Sequence, residues 1–280
     1  MELMAFLAAK MPDASRTKLK ALFSKRVVLV DNVITTQFNF PLKPGMKVQI
    51  SKQKSKKEFT NKLLRIVYED PYIIVIDKKE GLLSVASERQ KECTAHSILN
   101  EYVRRSGRQF RTYVVHRLDR DTSGLMMFAK DEQTQRTLRD HWQEIVTDRR
   151  YVAGVQGSME KDYDTVVSWL TDKTHYVLTS RQDDGGQRSV THYRTIKRGN
   201  GYSLVELELE TGRKNQIRVH MQDLGHPLAG DGRYGGEDYS NPINRLALHA
   251  FKLCFYHPVT GQLMEFETPY PPEFKRLFQK

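Results

Sequence analysis

The sequence predicts an α+β protein: a large domain built on a mixed, mainly antiparallel sheet, with a small α/β-hairpin domain at its N-terminus. Three observations carry this. Strand-like runs dominate the 280-residue chain, and the helical segments fall among them irregularly, not in regular β-α-β alternation. Basic charge is concentrated at one end: residues 1–60 hold 12 Lys and Arg against 4 Asp and Glu, whereas the other 220 residues hold 33 against 30. The stretch SKQKSKKEFTNK, residues 51–62, is lysine-rich and almost without apolar side chains, as a linker is. The expected division is residues 1–52, a linker at 53–62, and residues 63–280.

The elements follow in order. MAFLAAKM has helical spacing. Ser15 is placed to cap RTKLKALFSK, whose Leu19, Leu22 and Phe23 form one apolar face opposite Arg16, Lys18, Lys20 and Lys25. VVLVDN and VITTQFNF alternate like strands, and the Pro-Gly turn of LKPGMKVQI leads into another. In the larger domain LLRIVYED and YIIVID are strands around an Asp70-Pro71 turn, and TAHSILNEYVRRSG is an amphipathic helix ending at Gly107. YVVHRLD and GLMMFAK are short strands around a polar loop, and Asp131 is placed to cap a helix over EQTQRTLRDHWQEI. RRYVAGV, THYRTIKR, YSLVELELE, LALHAFKLCFY and QLMEFET are further strands. PPEFKRLFQ is a closing helix with prolines in its first turn.

Composition narrows the function classes. Hydrophobic residues make up 39% and charged residues 28%, the balance of a globular protein with a core. Two cysteines, Cys93 and Cys254, cannot build a disulfide framework, and with nine histidines they show no zinc-closing spacing. The apolar stretch MAFLAA is soon interrupted by Lys10 and Asp13, too short for a signal peptide, and no run approaches the ~20 apolar residues of a membrane span. A cytoplasmic protein with no membrane association is expected. The net charge of +11, carried mostly by the first fifth of the chain, suggests a tether for a polyanion, nucleic acid being the commonest; a solubilising surface is the alternative.

Two stretches carry chemistry. In HRLDRDTSGLMMFAK, residues 116–130, a loop places Asp119 and Asp121 between Arg117 and Arg120. Flanking guanidiniums favour the ionised carboxylate, which can serve as nucleophile or base. Composition alone allows equally a solvated turn laced with ion pairs. In LETGRKNQIRVHM, residues 209–221, Gly212 breaks a strand and Arg213, Lys214 and Arg218 follow on a turn into a helix. Ile217 and Arg218 can turn one apolar and one basic group to the same pocket, or the segment is a basic surface helix.

The segment SRTKLKALFSKRVVLVDN with LKPGMKVQI resembles the small RNA-binding domain first described in the fourth protein of the small ribosomal subunit. The resemblance implies that Arg16, Lys18, Lys25 and Arg26 lie against phosphates, contacts that position RNA without reading its sequence. The larger domain is similar to the RluA-type pseudouridine synthases. HRLDRDTSGLMMFAK resembles that family's aspartate signature and LRIVYEDPYIIVIDKKEGLLS its opening block. RRYVAGV resembles its tyrosine block, LETGRKNQIRVHMQDLGHPLAGDGRYG its arginine block and RLALHA its late hydrophobic block.

This resemblance implies the pseudouridine synthase fold and isomerisation of uridine to pseudouridine in a structured RNA. Large-subunit ribosomal RNA is favoured by the N-terminal domain, and transfer RNA is the alternative. It makes Asp119 the catalytic carboxylate and Arg117 the residue that displaces the target base and holds its place in the stack. Tyr151 packs on the uracil and assists a late proton transfer, Arg218 partners the aspartate with Arg213 as rival in the same block, and Leu248 forms an apolar wall behind the ring. No atoms are gained or lost in the reaction, so no cofactor and no metal are expected, and no obligate protein partner is implied. Asp119 acts covalently, at C1′ or at C6 of the ring, or as a base toward the 2′ proton.

Two departures stand out: KKEG at 78–81 lacks the usual proline, and Lys214-Asn215 replaces threonine-histidine. Two other readings compete. One is a non-catalytic RNA-binding or ribosome-assembly factor. The other is a metal-dependent nuclease or phosphatase using Asp119, Asp121 and His116. His220, His226, His249 and His257 are expected to be structural.

Overall fold

Ser15 accepts a hydrogen bond from the Lys18 backbone N–H at 3.2 Å and so begins the second of two N-terminal helices, Leu3–Lys10 (α1) and Arg16–Ser24 (α2). The computed structural model describes residues 1–12, 14–24, 27–31, 33–35, 38–50, 59–86, 93–105, 107, 109–173, 176–180, 182–183, 185–235 and 241–279. The chain forms two compact units, Met1–Thr60 and Asn61–Lys280. Residues 53–58 of the expected linker, like Lys25 and Arg26, lie outside the described residues.

In the first unit Val28–Val30 (β1), Val33–Ile34 (β2) and Val48–Ile50 (β3) pair antiparallel in the order β2-β1-β3. Leu3, Leu7, Leu19, Phe23, Val28 and Val30 form its core, each apolar side chain contributing about 1.5–3 kcal/mol on burial. Among its described residues the run VITTQFNF is a strand at Val33–Ile34 alone. The carbonyls of Phe38 and Phe40 instead take the N–H groups of Met4 and Leu3 at 2.9 Å, satisfying donors that the first turn of a helix leaves unpaired.

The second unit runs in chain order through Leu64–Glu69 (β4), Ile73–Lys78 (β5), Ala95–Arg104 (α3), Tyr113–Val114 (β6), Ser123–Ala129 (β7), Glu132–Asp140 (α4) and Trp142–Ile145 (α5). There follow Val146–Gln156 (β8), Tyr163–Lys173 (β9), Tyr176–Ser180 (β10), Gln187–Gly199 (β11), Tyr202–Leu209 (β12), Gln216–Asp223 (α6), Leu248–Tyr256 (β13), Leu263–Glu267 (β14) and a 3-10 helix at Pro272–Phe278. Eleven strands make one sheet ordered β10-β9-β11-β12-β8-β13-β7-β5-β4, with β14 beside β13 and β6 beside β7. Only β13 with β7 is parallel among these pairs, so the sheet is mixed and mainly antiparallel. β7 is buried at every position, as a central strand covered on both faces must be. Where β7 meets β13, Gly124 has φ +115°, and a Cβ there would lie 2.2 Å from the Ala250 carbonyl oxygen; only glycine fits.

Asp131 caps α4, its carboxylate accepting the Thr134 N–H at 2.8 Å, but the expected helix over 132–145 breaks at His141 (φ −113°, ψ 27°) into α4 and the short α5. The closing helix is 3-10, not α. Strands β9 and β10 have no counterpart in the sequence reading, because Tyr163, Val167 and Leu178 face solvent and, of their described apolar side chains, only Leu170 and Val177 are fully buried. Among the described residues no helix is long and apolar enough to cross a membrane.

Candidate active site

The loop between β6 and β7 carries Arg117, Leu118 and Asp119, and it is tied down from behind. Ser84 Oγ accepts the Leu118 N–H at 3.1 Å and donates to the Leu118 carbonyl at 2.6 Å. Lys78, wholly buried, donates to the carbonyls of Lys79, Leu82 and Arg120 at 3.0, 2.7 and 3.0 Å. Burial pulls its ammonium down to about 8, opposed by the carboxylates of Asp121 and Asp119. The KKEG segment therefore supplies, through Lys78, an anchor for the loop. Among the pairings of that loop, Arg120 turns to Asp121 (3.1 Å), leaving Asp119 to face elsewhere.

The opposite wall is α6, hung from the sheet by two buried side chains. Gln216 accepts from Thr211 Oγ1 (2.8 Å) and the Arg213 N–H (3.0 Å) and donates to the Val190 carbonyl and Thr191 Oγ1, both at 2.9 Å. His220 bonds Ser168 on β9 and Thr191 on β11, each at 2.8 Å. Asn215 begins the helix in the left-handed region, φ 55°, a conformation asparagine tolerates better than most residues.

These ties aim Arg218. Its Nε and Nη2 donate to both oxygens of Asp231, at 2.7 and 2.6 Å, while Nη1 reaches Asn215 Oδ1 at 3.2 Å and stands 3.8 Å from Asp119 Oδ2. The Asp231 side chain is wholly buried and also accepts the N–H groups of Arg233 and Tyr234 at 3.0 Å. Burial pushes its carboxyl up, but Arg218 and the two N–H groups prevail and hold it below the ordinary value. Arg218 is thus oriented by Asp231 and offers its remaining edge to Asp119. The sequence reading missed Asp231 although it lies in the quoted LAGDGRYG run; the only signal there was an isolated acid beside a turn.

Asp119, Tyr151 and Arg218 line one cleft of about 750 Å³. Arg117, Arg213, Ile217 and Leu248 line the same cleft, the two arginines exposed. Tyr151 packs with Ile217 and Leu248 against a buried cluster, giving the cleft one apolar wall. Burial raises the Tyr151 hydroxyl above its usual value, countered by Arg149 and reinforced by Asp119. His116 Nε2 accepts the Met127 N–H at 2.9 Å and its ring lies 4.8 Å from that of Trp142; burial, aided by Arg149, pulls the imidazole down to about 3, so it is neutral at pH 7. Trp142 and Arg149, which did not stand out in the sequence, line the cleft as well, together with Gly212. Among the described residues no three His, Cys, Asp or Glu side chains are grouped to hold a metal ion. Arg16 and Lys18 are exposed on α2 of the other unit.

The clamp on α6 gives a pH dependence. Burial lowers His220 to about 4, well below the ~6.5 of an unfolded histidine, so the unfolded chain binds the extra proton between those values and stability falls as pH drops through that window. A His220→Gln variant is expected to lose stability less steeply between pH 6.5 and 4, by up to about 1.4 kcal/mol per pH unit in urea unfolding. An unchanged slope would show that His220 titrates normally.

The family described as RNA pseudouridylate synthase matches residues 72–223. The chain is 37% identical over 216 residues to an uncharacterized RNA pseudouridine synthase of Bacillus subtilis, covering 76% of this chain and 71% of the relative. It is 34% identical to the ribosomal large subunit pseudouridine synthase D of Pasteurella multocida, over 98% of this chain and 89% of that protein. The solved structure of human RNA pseudouridylate synthase domain containing 4 superposes with a TM-score of 0.62 at 21% identity, over 76% of this chain and 90% of that one, a likeness of fold.

Proposed function

Since the chain belongs to the RNA pseudouridylate synthase family and is an enzyme that isomerises uridine in RNA, we propose that its substrate is large-subunit ribosomal RNA and that Asp119 is the catalytic carboxylate. The observation that carries the second part is the Asp119 carboxylate at the mouth of the cleft, 3.8 Å from an Arg218 whose other N–H groups are already fixed by Asp231. That arrangement presents a fixed cation to Asp119, since Arg218 is held in place by its two bonds to Asp231.

The reaction breaks C1′–N1, turns the uracil and joins C1′ to C5. A stacked nucleotide hides these atoms, so the uridine is flipped out at a cost of a few kcal/mol. Arg117, exposed at the rim, fills the vacated place, and Tyr151 packs on the uracil from the apolar wall it shares with Ile217 and Leu248. Asp119 then acts at C1′ or C6 as nucleophile, or on the 2′ proton as base; every route needs it ionised. Arg213 lies on the rim among RNA-binding groups. The N-terminal unit, read as a domain of the ribosomal-protein type, holds RNA phosphates along α2 through Arg16 and Lys18, extended by Lys25 and Arg26.

The large-subunit target rests on the 34% identity to a ribosomal large subunit enzyme across nearly the whole chain. Pseudouridine mapping of ribosomal and transfer RNA from a strain lacking this protein is expected to show loss at one or a few large-subunit positions, restored by adding the purified chain in EDTA. Loss confined to transfer RNA would overturn the target.

A further inference from the structure

Among the described residues, two of the six Lys and Arg side chains that line the cleft are paired with carboxylates. Arg218 is bound by Asp231, and Lys214 by Asp172 at 2.8 Å. On β8 the contrast is sharper. Neighbouring residues of a strand face opposite ways, and Arg150, turned from the cleft, is paired with Asp148 at 3.0 Å and Glu208 at 3.5 Å. Arg149, on the cleft face beside Tyr151, has no carboxylate within 4 Å among the described residues. Its charge is nevertheless felt by its surroundings, since it opposes the protonation of His116 and the rise of Tyr151.

The guanidinium is held as a receptor would be. It lies over the Trp142 ring, 5.6 Å from the centroid, and Nη2 touches the Leu209 carbonyl at 3.4 Å, which orients its plane and leaves its other N–H groups without a protein acceptor among the described residues. Gly212 borders it. A Cβ at 212 would come within 2.7 Å of Nη1, yet the backbone there is not in the left-handed region, so this glycine serves space rather than conformation. Two residues along a strand span about 6.6 Å, the scale of one nucleotide, so with the uracil against Tyr151 the group reaching Arg149 is the adjoining backbone.

Resting on the family reading above, we propose that Arg149 is a substrate-binding residue that takes the phosphodiester next to the flipped uridine, with Trp142 as its support and Gly212 as the space it needs. A planar, delocalised cation with a free edge suits a phosphate diester, which offers two anionic oxygens.

The test uses the full chain and a stem-loop RNA that the wild type converts. Arg149→Ala is expected to raise KM about tenfold, more than it lowers kcat, and to flatten the dependence of log affinity on log salt by about one phosphate contact. Arg149→Lys keeps the slope. Arg149→Met, which preserves packing on Trp142, serves if alanine destabilises the chain and is expected to behave like alanine. Gly212→Ala, which displaces only the tip of a flexible side chain, is expected to fold normally and to flatten the slope as well. Arg150→Ala leaves it unchanged. An unaltered salt slope in folded Arg149→Met, with kcat reduced at saturating RNA, overturns the proposal and assigns Arg149 to the base instead. Failure of the wild type itself to form pseudouridine on any RNA would instead count against the family reading.

Discussion

Asp119→Asn is expected to bind RNA as the wild type does and to form no detectable pseudouridine, a loss of at least roughly 10⁴-fold in single-turnover rate. The substitution removes one charge and keeps shape. The turn that carries the residue is closed by the Thr122 N–H on the Asp119 carbonyl, a backbone bond at 3.2 Å that asparagine leaves intact. RNA is gripped by arginines, not by this acid, so affinity is preserved while nucleophile and base are both lost. Gel-shift affinity measured beside product formation separates the two. Product at a rate near that of the wild type would remove Asp119 from the chemistry.

Arg218→Ala is expected to lose activity and about 3–5 kcal/mol of stability, the cost of stranding a buried charge. The stranded group is Asp231, whose side chain has no exposure and would keep only the N–H groups of Arg233 and Tyr234. Arg218→Ala with Asp231→Ala removes both charges and is expected to regain part of the stability without regaining activity, because Asp119 still lacks its partner. Arg213→Ala, by contrast, touches an exposed side chain and should leave stability unchanged. Urea unfolding and product assays on the three variants decide between the two arginines. A stable, active Arg218→Ala would transfer the partner's role to Arg213.

The residues that converge on the cleft were legible in the sequence because they sit in compact blocks, each a polar turn beside an apolar run. The same holds for the elements with clean signals, such as the Asp131 cap and the all-apolar β7. What escaped depends on partners with no fixed spacing. Asp231 is thirteen residues from Arg218 and distinguished only by being buried against it. The role of Lys78 requires knowing that three carbonyls converge on one buried spot. Arg149 and Arg150 are chemically identical in sequence, and only strand pairing says which faces the cleft. Strand β10 is the sheet's edge and β9 pairs between it and β11, and several of their apolar side chains, Tyr163, Val167 and Leu178, are exposed, which blurs the apolar pattern. The break at His141 carries neither glycine nor proline to announce it.

The insertion of β13 between β8 and β7 has a consequence for how the enzyme matures. Ala250 must arrive beside Tyr151 and Gly124, and Leu248 beside Ala153, all far earlier in the sequence, before the sheet has a continuous middle. Contacts so distant along the polymer form late, after the entropy of closing a long loop has been overcome. The cleft and the middle of the sheet are therefore completed together, in the step that seats β13 between strands that lie far earlier in the sequence.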